Sequence, residues 1–77
     1  MMIIKDQLLQ ALIDTGRLSP GSKIEILSIE GEPRSDYRRI EILATKKHCK
    51  KPFMYWNICV DTARELIHWD TSTFYYL

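Results

Sequence analysis

The strongest constraint on the fold is a series of short runs rich in β-branched and aromatic residues. Three of them span 23–29, 37–45 and 53–60, and a shorter one spans 65–70. Such runs are typical of β-strands, and here only turn-length segments separate them. Because short connections join antiparallel neighbours, the sequence predicts an antiparallel meander.

A strand register follows from the alternation of side chains between the two faces of a sheet. Centring the second hairpin on the 46–52 loop places three opposed pairs on one wholly apolar face: Ala44 with Met54, Ile42 with Trp56, and Ile40 with Ile58. Centring the third hairpin on the 61–64 turn adds two residues to that face, with Ile67 opposite Ile58 and Trp69 opposite Trp56. Ile24 and Ile26 of the first strand extend it. We expect this face to be the core side of the sheet.

The N-terminal segment predicts a helix that covers the apolar face. Between Ile3 and Asp14, apolar residues recur at helical spacing, namely Ile4, Leu8, Ala11 and Leu12, with Leu9 and Ile13 widening the stripe. Gly16 suits the left-handed position after a helix, and Pro20-Gly21 suits the centre of a type II turn. The predicted fold class is therefore α+β: one N-terminal helix packed on a four-stranded antiparallel meander, or a five-stranded one if the C-terminal residues add a strand.

Composition limits the broad class of protein. The chain has 77 residues and 9.1 kDa, which is enough for a single small α+β domain over residues 1–77. Hydrophobic residues make up 45% and charged residues 27%, as in ordinary globular proteins, so we expect neither a disordered tail nor a membrane protein. The start of the sequence does not resemble a secretory signal, and we expect a cytoplasmic location.

The second face of the predicted sheet is half apolar. Arg39, Glu41, Asn57 and Cys59 alternate there with Leu43, Tyr55 and Phe53, and the 61–64 register adds Leu66 beside Cys59, His68 beside Asn57 and Asp70 beside Tyr55. Leu27 and Ile29 of the first strand belong to the same face. A solvated sheet face is mainly polar, so this one needs a cover. The cover is either residues 73–77, as a fifth strand or a folded tail, or another chain: a target protein or a second copy.

The residues that commonly carry chemistry do not form a recognisable active site. A strand at 53–60 separates Cys49 from Cys59 by on the order of 20 Å, so we expect no disulfide and no zinc site that joins them to His48 and His68. Cys59 and His68 lie diagonally on one face, where a thiol-imidazole pair would lack a cleft. Glycine-rich phosphate loops are absent. We therefore expect no enzyme, metal, cofactor or small-molecule substrate.

Positive charge is concentrated in the centre of the chain. The net charge is +1, yet residues 34–51 contain seven basic and two acidic residues. Lys46, Lys47, Lys50 and Lys51 lie at the tip of the central hairpin, and Arg38 lies along the strand that leads to it. This pattern suits an acidic protein partner or phosphate groups.

These features favour a non-enzymatic protein-interaction module, a small regulator or inhibitor that docks on a larger protein. We expect the outer sheet face and the basic hairpin tip to form the docking site. The expected contact residues on the face are Arg39, Leu43, Phe53, Tyr55, Leu66 and His68. The alternative is an accessory single-stranded nucleic-acid-binding protein that uses the loop 46–51 and its neighbouring aromatic residues.

Overall fold

A computed structural model of the chain describes residues 5–77, in which one helix packs on a four-stranded antiparallel sheet. The elements in chain order are α1 (Lys5–Asp14), β1 (Lys23–Glu30), β2 (Tyr37–Thr45), β3 (Met54–Asp61) and β4 (Leu66–Tyr76). The strands are adjacent in the order β1-β2-β3-β4, which confirms the α+β meander. Ile3 and Ile4 of the predicted helix lie outside the described residues. No helix within residues 5–77 has the length and apolar character needed to cross a bilayer.

The pairing of β2 with β3 builds the core and has the predicted register. Ala44 lies opposite Met54, Ile42 opposite Trp56, and Ile40 opposite Ile58. All six side chains are buried. Ile24 and Ile26 pair with Ala44 and Ile42, so β1 extends the apolar face as predicted.

Helix α1 covers this face with Leu8 and Leu12, both of which are fully buried. The helix ends in a Schellman motif: Arg17 N–H donates to Leu12 C=O at 2.9 Å, and Gly16 N–H donates to Ile13 C=O at 3.0 Å. Gly16 has the positive φ of 76° that this motif requires. Gly21, at φ 88°, then forms the predicted turn, closed by a hydrogen bond of 3.1 Å from Ser22 N–H to Ser19 C=O.

A β-bulge in β1 places Ile29 on the opposite face from the predicted one. The register moves by one residue between Ile26 and Ser28, which leaves Leu27 without an opposed partner. Ile29 consequently lies opposite Ile40 on the core face, and its predicted place on the outer face was wrong. Ser28 takes an outer-face place instead, opposite Glu41.

The predicted register of β3 with β4 was wrong because the turn between them is longer than two residues. Asp61 pairs with Leu66, which leaves four residues in the connection. The Asp61 carboxylate accepts the N–H groups of Ala63 and Arg64 at 3.1 and 3.3 Å, and Glu65 adopts a left-handed conformation with φ 53°. The pairing therefore shifts by two residues.

The shift gives the first residues of β4 new partners on β3 but leaves each side chain on its predicted face. Ile67 lies opposite Val60 rather than Ile58 and remains on the core face. His68 lies opposite Cys59 rather than Asn57, and Leu66 lies opposite Asp61 rather than Cys59. Both His68 and Leu66 remain on the outer face, because a shift of two residues preserves the alternation.

A second bulge, at residues 69–72, follows this turn. The pairs on either side of the bulge are Cys59 with His68 and Asn57 with Thr73, so four residues of β4 lie opposite Ile58 alone. Ser72 restores the interrupted ladder through its hydroxyl, which accepts Cys59 N–H at 3.0 Å and donates to His68 C=O at 2.8 Å. Asp70 falls within this bulge, and its predicted pairing with Tyr55 was wrong.

The C-terminal residues continue β4 and form neither a fifth strand nor a tail across the outer face. The bulge reverses the alternation, so that Phe74 lies opposite Trp56 on the core face and Tyr75 lies opposite Tyr55 on the outer face. The Phe74 ring stacks on Trp56 with centroids 4.7 Å apart. Trp69 also contacts Trp56, edge to face at 6.0 Å, although it is not the directly opposed residue.

Trp56 should be the most sensitive core position of the sheet. Its side chain is 4% exposed and contacts the rings of both Trp69 and Phe74. Trp56→Ala should lower the free energy of unfolding by about 3–5 kcal/mol because the lost ring leaves a cavity. Urea denaturation measures this loss, with Trp56→Phe as a control that keeps an aromatic ring. A loss below about 1 kcal/mol for Trp56→Ala would contradict the core assignment.

Ser72 should stabilise the fold through its hydroxyl rather than its volume. Ser72→Ala leaves Cys59 N–H and His68 C=O without that partner and should cost about 1–2 kcal/mol in the free energy of unfolding. Thr71→Ala is the matched control, since Thr71 donates to the same carbonyl from an exposed position. Ser72→Thr should restore most of the stability. Equal losses for Ser72→Ala and Thr71→Ala would show that the bridge is unimportant.

Candidate protein-interaction surface

The face of the sheet opposite α1, here called the outer face, consists of cross-strand rows of side chains. The row near the β2–β3 hairpin tip contains Glu25, Leu43, Tyr55 and Tyr75. The middle row contains Ser28, Glu41, Asn57 and Thr73, and the far row contains Glu30, Arg39, Cys59 and His68. Because α1 packs on the other face and residues 73–77 extend β4, no segment within residues 5–77 lies over these rows.

Tyr55 has several side-chain contacts at the hairpin end of the outer face. Its ring stacks on that of Tyr75 with centroids 4.7 Å apart. Its hydroxyl donates to Glu41 Oε2 at 2.8 Å, and the other oxygen of that carboxylate accepts the Ser28 hydroxyl at 3.1 Å. The Tyr55 ring is thus held in one position, with Leu43 beside it on the neighbouring strand.

The surroundings of Tyr55 make its phenol harder to ionise. Burial raises the pKa of Tyr55 above its ordinary value of 10.0, and the hydrogen bond to the Glu41 carboxylate raises it further. A phenolate would sit beside an existing negative charge, which is unfavourable. Tyr55 therefore serves as a hydrogen-bond donor on this face.

Arg39 connects the middle of the outer face to the bulge of β4. Its guanidinium donates to Asn57 Oδ1 and to Thr71 C=O, both at 3.2 Å. Arg39 remains exposed, so its other donors face solvent in the far row of the outer face. Arg residues of this kind are frequent hot spots in protein interfaces.

The far end of the outer face holds a second, smaller group of predicted contact residues. His68 lies opposite Cys59, and its ring is 5.6 Å from that of Tyr37. Its Nε2 is buried and has no hydrogen-bond partner among the described residues. Leu66 is exposed near it. A depression of about 430 Å³ opens at this end, lined in part by Glu30, Glu32, Arg39 and Cys59.

The basic loop 46–52 lies directly beyond the Tyr55 row. Lys46, Lys47, Lys50 and Lys51 are all exposed. A turn closed by a hydrogen bond of 3.1 Å from Cys49 N–H to Lys46 C=O shapes the loop, with His48 at φ 65°. The Lys47 side chain passes over Gly21, where an added Cβ would lie 2.6 Å from its Cδ. This loop is therefore a charged rim beside an apolar centre.

Two predicted contact residues, Arg38 and Phe53, make contacts within the chain itself. Arg38 is at the opposite end of β2 from Lys46, on the order of 25 Å away along the strand. Its guanidinium donates to the carbonyls of Glu32, Ser35 and Tyr37, so it stabilises the 30–36 loop rather than the basic tip. Phe53 precedes β3, is half-buried and packs against the core, with Lys46 Nζ 4.9 Å from its ring centroid.

The structure thus joins some predicted site residues and separates others. Leu43, Tyr55 and the basic loop lie together at one end of the outer face. Leu66 and His68 lie at the other end, roughly 13 Å away along the strands. The sequence alone does not place Tyr75 on either face, because the three-residue shift at 69–72 decides its face. The polar run Asp70-Thr71-Ser72-Thr73, which interrupts the apolar pattern of β4, was the available signal for that bulge.

The cysteines and the possible metal ligands decide whether a disulfide or a metal ion could stabilise the site. Cys49 is exposed and Cys59 is half-buried, and both are free thiols in the structure. Within residues 5–77, no three His, Cys, Asp or Glu side chains are grouped so as to hold a metal ion.

In comparisons with known proteins, no family model, no curated protein and no solved structure matches this chain.

The raised pKa of Tyr55 predicts a loss of stability at alkaline pH. The folded state holds the phenol proton more tightly than the unfolded chain, whose tyrosines titrate near 10.0. This contribution is complete below pH ~10 and is lost as the pH rises from there through the folded-state pKa. Tyr55→Phe should therefore reduce the decline in the free energy of unfolding above pH ~10.

Urea denaturation across this pH range provides the measurement. Tyr76→Phe is the control, since it removes a phenol from an exposed position and leaves the bond between Tyr55 and Glu41 intact. Identical pH profiles for the wild type and Tyr55→Phe would contradict the assignment.

Proposed function

We propose that this protein is a non-enzymatic interaction module that docks on a larger protein and regulates or inhibits it. The docking site is the hairpin end of the outer face together with the basic loop 46–52. The observation that carries the proposal is the row of half-buried Leu43 and Tyr55 with exposed Tyr75, over which no segment within residues 5–77 lies and beside which the adjacent loop exposes its lysines. The partner that fits this site has an acidic surface next to an apolar patch.

The chemistry of this row supports binding. Tyr55 stacks on Tyr75 and is hydrogen-bonded to Glu41, so its ring is already fixed and offers apolar contact area at low cost in conformational entropy. Tyr and Arg dominate interface hot spots, where truncation costs about 2 kcal/mol or more. Tyr75 is 56% exposed and therefore has surface left to bury.

The lysine loop contributes charge complementarity. Four ammonium groups on one hairpin tip steer an acidic partner during encounter and disfavour basic ones. Their contribution is screened as salt concentration increases, since the Debye length is only about 8 Å at physiological ionic strength. We place this interaction in the cytoplasm, where the free thiols Cys49 and Cys59 would remain reduced.

The alternative function, binding of single-stranded nucleic acid, also uses the exposed lysines. Two observations weigh against it: Arg38 lies at the far end of β2, and Phe53 is half-buried beneath Lys46 rather than free to stack with bases. Nucleic-acid binding is therefore the competing outcome of the capture experiment.

Capture experiments with matched variants test the proposed site. Tyr75→Ala removes an exposed anchor, and replacing the four loop lysines with Glu reverses the charge of the rim. Leu66→Ala is the control, because Leu66 is exposed on the same face at its far end. A protein retained by the immobilised wild type after nuclease treatment should bind Tyr75→Ala at least ~10-fold more weakly and Leu66→Ala normally.

The lysine variant should reduce the association rate and its dependence on salt. The proposal fails if the retained protein binds Tyr75→Ala and the lysine variant as well as it binds the wild type. It also fails if nuclease treatment abolishes all capture and single-stranded oligonucleotides bind the lysine loop with a steep salt dependence, which is the signature of the alternative.

A further inference from the structure

From residue 71 onward, the outer edge of β4 lacks the protective charges and prolines that sheet edges usually have, whereas the other edge, β1, is protected. Residues 71–77 contain no charged residue and no proline. Phe74, Tyr75, Tyr76 and Leu77 are 50%, 56%, 68% and 63% exposed. Proteins usually protect sheet edges with charges, prolines or bulges. The opposite edge, β1, has such protection in its bulge at Leu27 and its charged residues Lys23, Glu25 and Glu30.

The backbone at this edge is arranged to accept another strand. Leu77 N–H donates to Phe53 C=O at 3.0 Å, which fixes the direction of the alternating backbone groups. In an antiparallel ladder, residues point their N–H and C=O groups to one neighbour and then the other in turn. Thr73 and Tyr75 therefore bond to β3, and the backbone groups of Phe74 and Tyr76 point to the open edge.

We infer that β4 pairs antiparallel with β4 of a second copy of this chain, about a two-fold axis at Tyr75. Phe74 then forms a hydrogen-bonded pair with Tyr76 of the partner, and Tyr76 with Phe74 of the partner. Tyr75 faces Tyr75 of the partner as a non-hydrogen-bonded pair on the outer face. Residues 71–77 are suited to pairing with their own copy because they contain no charged side chain that would be opposed by a like charge.

The side chains that this pairing covers are the exposed ones at the edge. On the core face, Phe74 and Tyr76 line an open groove of about 410 Å³ with Met54, Trp56 and Gly16. Phe74 and Tyr76 of the second copy lie beside this groove in the paired sheet. The four side chains of residues 74–77 would bury roughly 400 Å² per copy, or about 800 Å² in total, which is less than the ~1,000 Å² expected of a stable interface and indicates a weak one. We therefore expect a dimer that dissociates on dilution.

The two-fold geometry makes this association self-limiting. Each copy offers the same strand to the other, so pairing uses both β4 edges and leaves the protected β1 edges outside. Both outer faces lie on one side of the continuous eight-stranded sheet, and both helices lie on the other side. The inference is independent of the proposed function.

A cross-linking experiment tests the pairing and its register together. In a Cys49→Ser background, Tyr75→Cys places two thiols at a non-hydrogen-bonded pair, where Cα atoms lie about 4.5 Å apart and a disulfide fits. Thr73→Cys is the matched control, because its two copies would be separated by on the order of 13 Å. Mild oxidation should convert Tyr75→Cys, and not Thr73→Cys, to a covalent dimer. Equal cross-linking of the two variants would overturn the register.

Sedimentation of the unmodified protein over a wide concentration range provides the second arm. The mass should rise from 9.1 kDa to twice that value and no further. Tyr76→Pro removes an N–H that only the partner would use, and an edge strand tolerates proline there, so this variant should fold normally and dimerise at least ~10-fold more weakly. A constant mass of 9.1 kDa, growth beyond a dimer, or a Tyr76→Pro variant that dimerises normally would overturn the inference.

Discussion

The apolar pairing of β2 with β3 is the interaction on which the rest of the structure depends. Ile40, Ile42 and Ala44 meet Ile58, Trp56 and Met54, and all six are buried. Since side chains alternate along a strand, burying this set directs Glu41, Leu43, Tyr55 and Asn57 to the other face. A shift by one residue would bury Glu41 and expose Trp56. The composition of the outer face is therefore a direct consequence of how the core is packed.

The predictable part of this fold comes from periodicity and turn chemistry. The stripe with Leu8 and Leu12, the turn at Gly21 and the pairing of Ile42 with Trp56 follow from spacing that local physics determines. The pairing of β4 does not, because it depends on two features that periodicity does not reveal. Asp61 and Glu65 shape a four-residue turn, and Ser72 satisfies the backbone across a bulge. Each feature moves the register.

The same contrast applies to the candidate site. Leu43 and Tyr55 could be placed on one face from sequence, since they belong to the regular β2–β3 ladder. Tyr75 could not be placed, because its face depends on the number of residues in the bulge. The contacts of Arg38 could not be predicted either, as charge alone does not show that a guanidinium is directed to the carbonyls of its own loop. Local charge density is thus a weaker guide than strand alternation.

The central claim is that β4 resumes after its bulge with reversed alternation, which gives one sheet an aromatic core face and an open aromatic outer face. Nuclear Overhauser contacts between ring protons test this claim most directly. Our account predicts contacts between Tyr55 and Tyr75 and between Trp56 and Phe74, whose ring centroids are each 4.7 Å apart. Contacts of Trp56 with Tyr75, and none between Tyr55 and Tyr75, would contradict it.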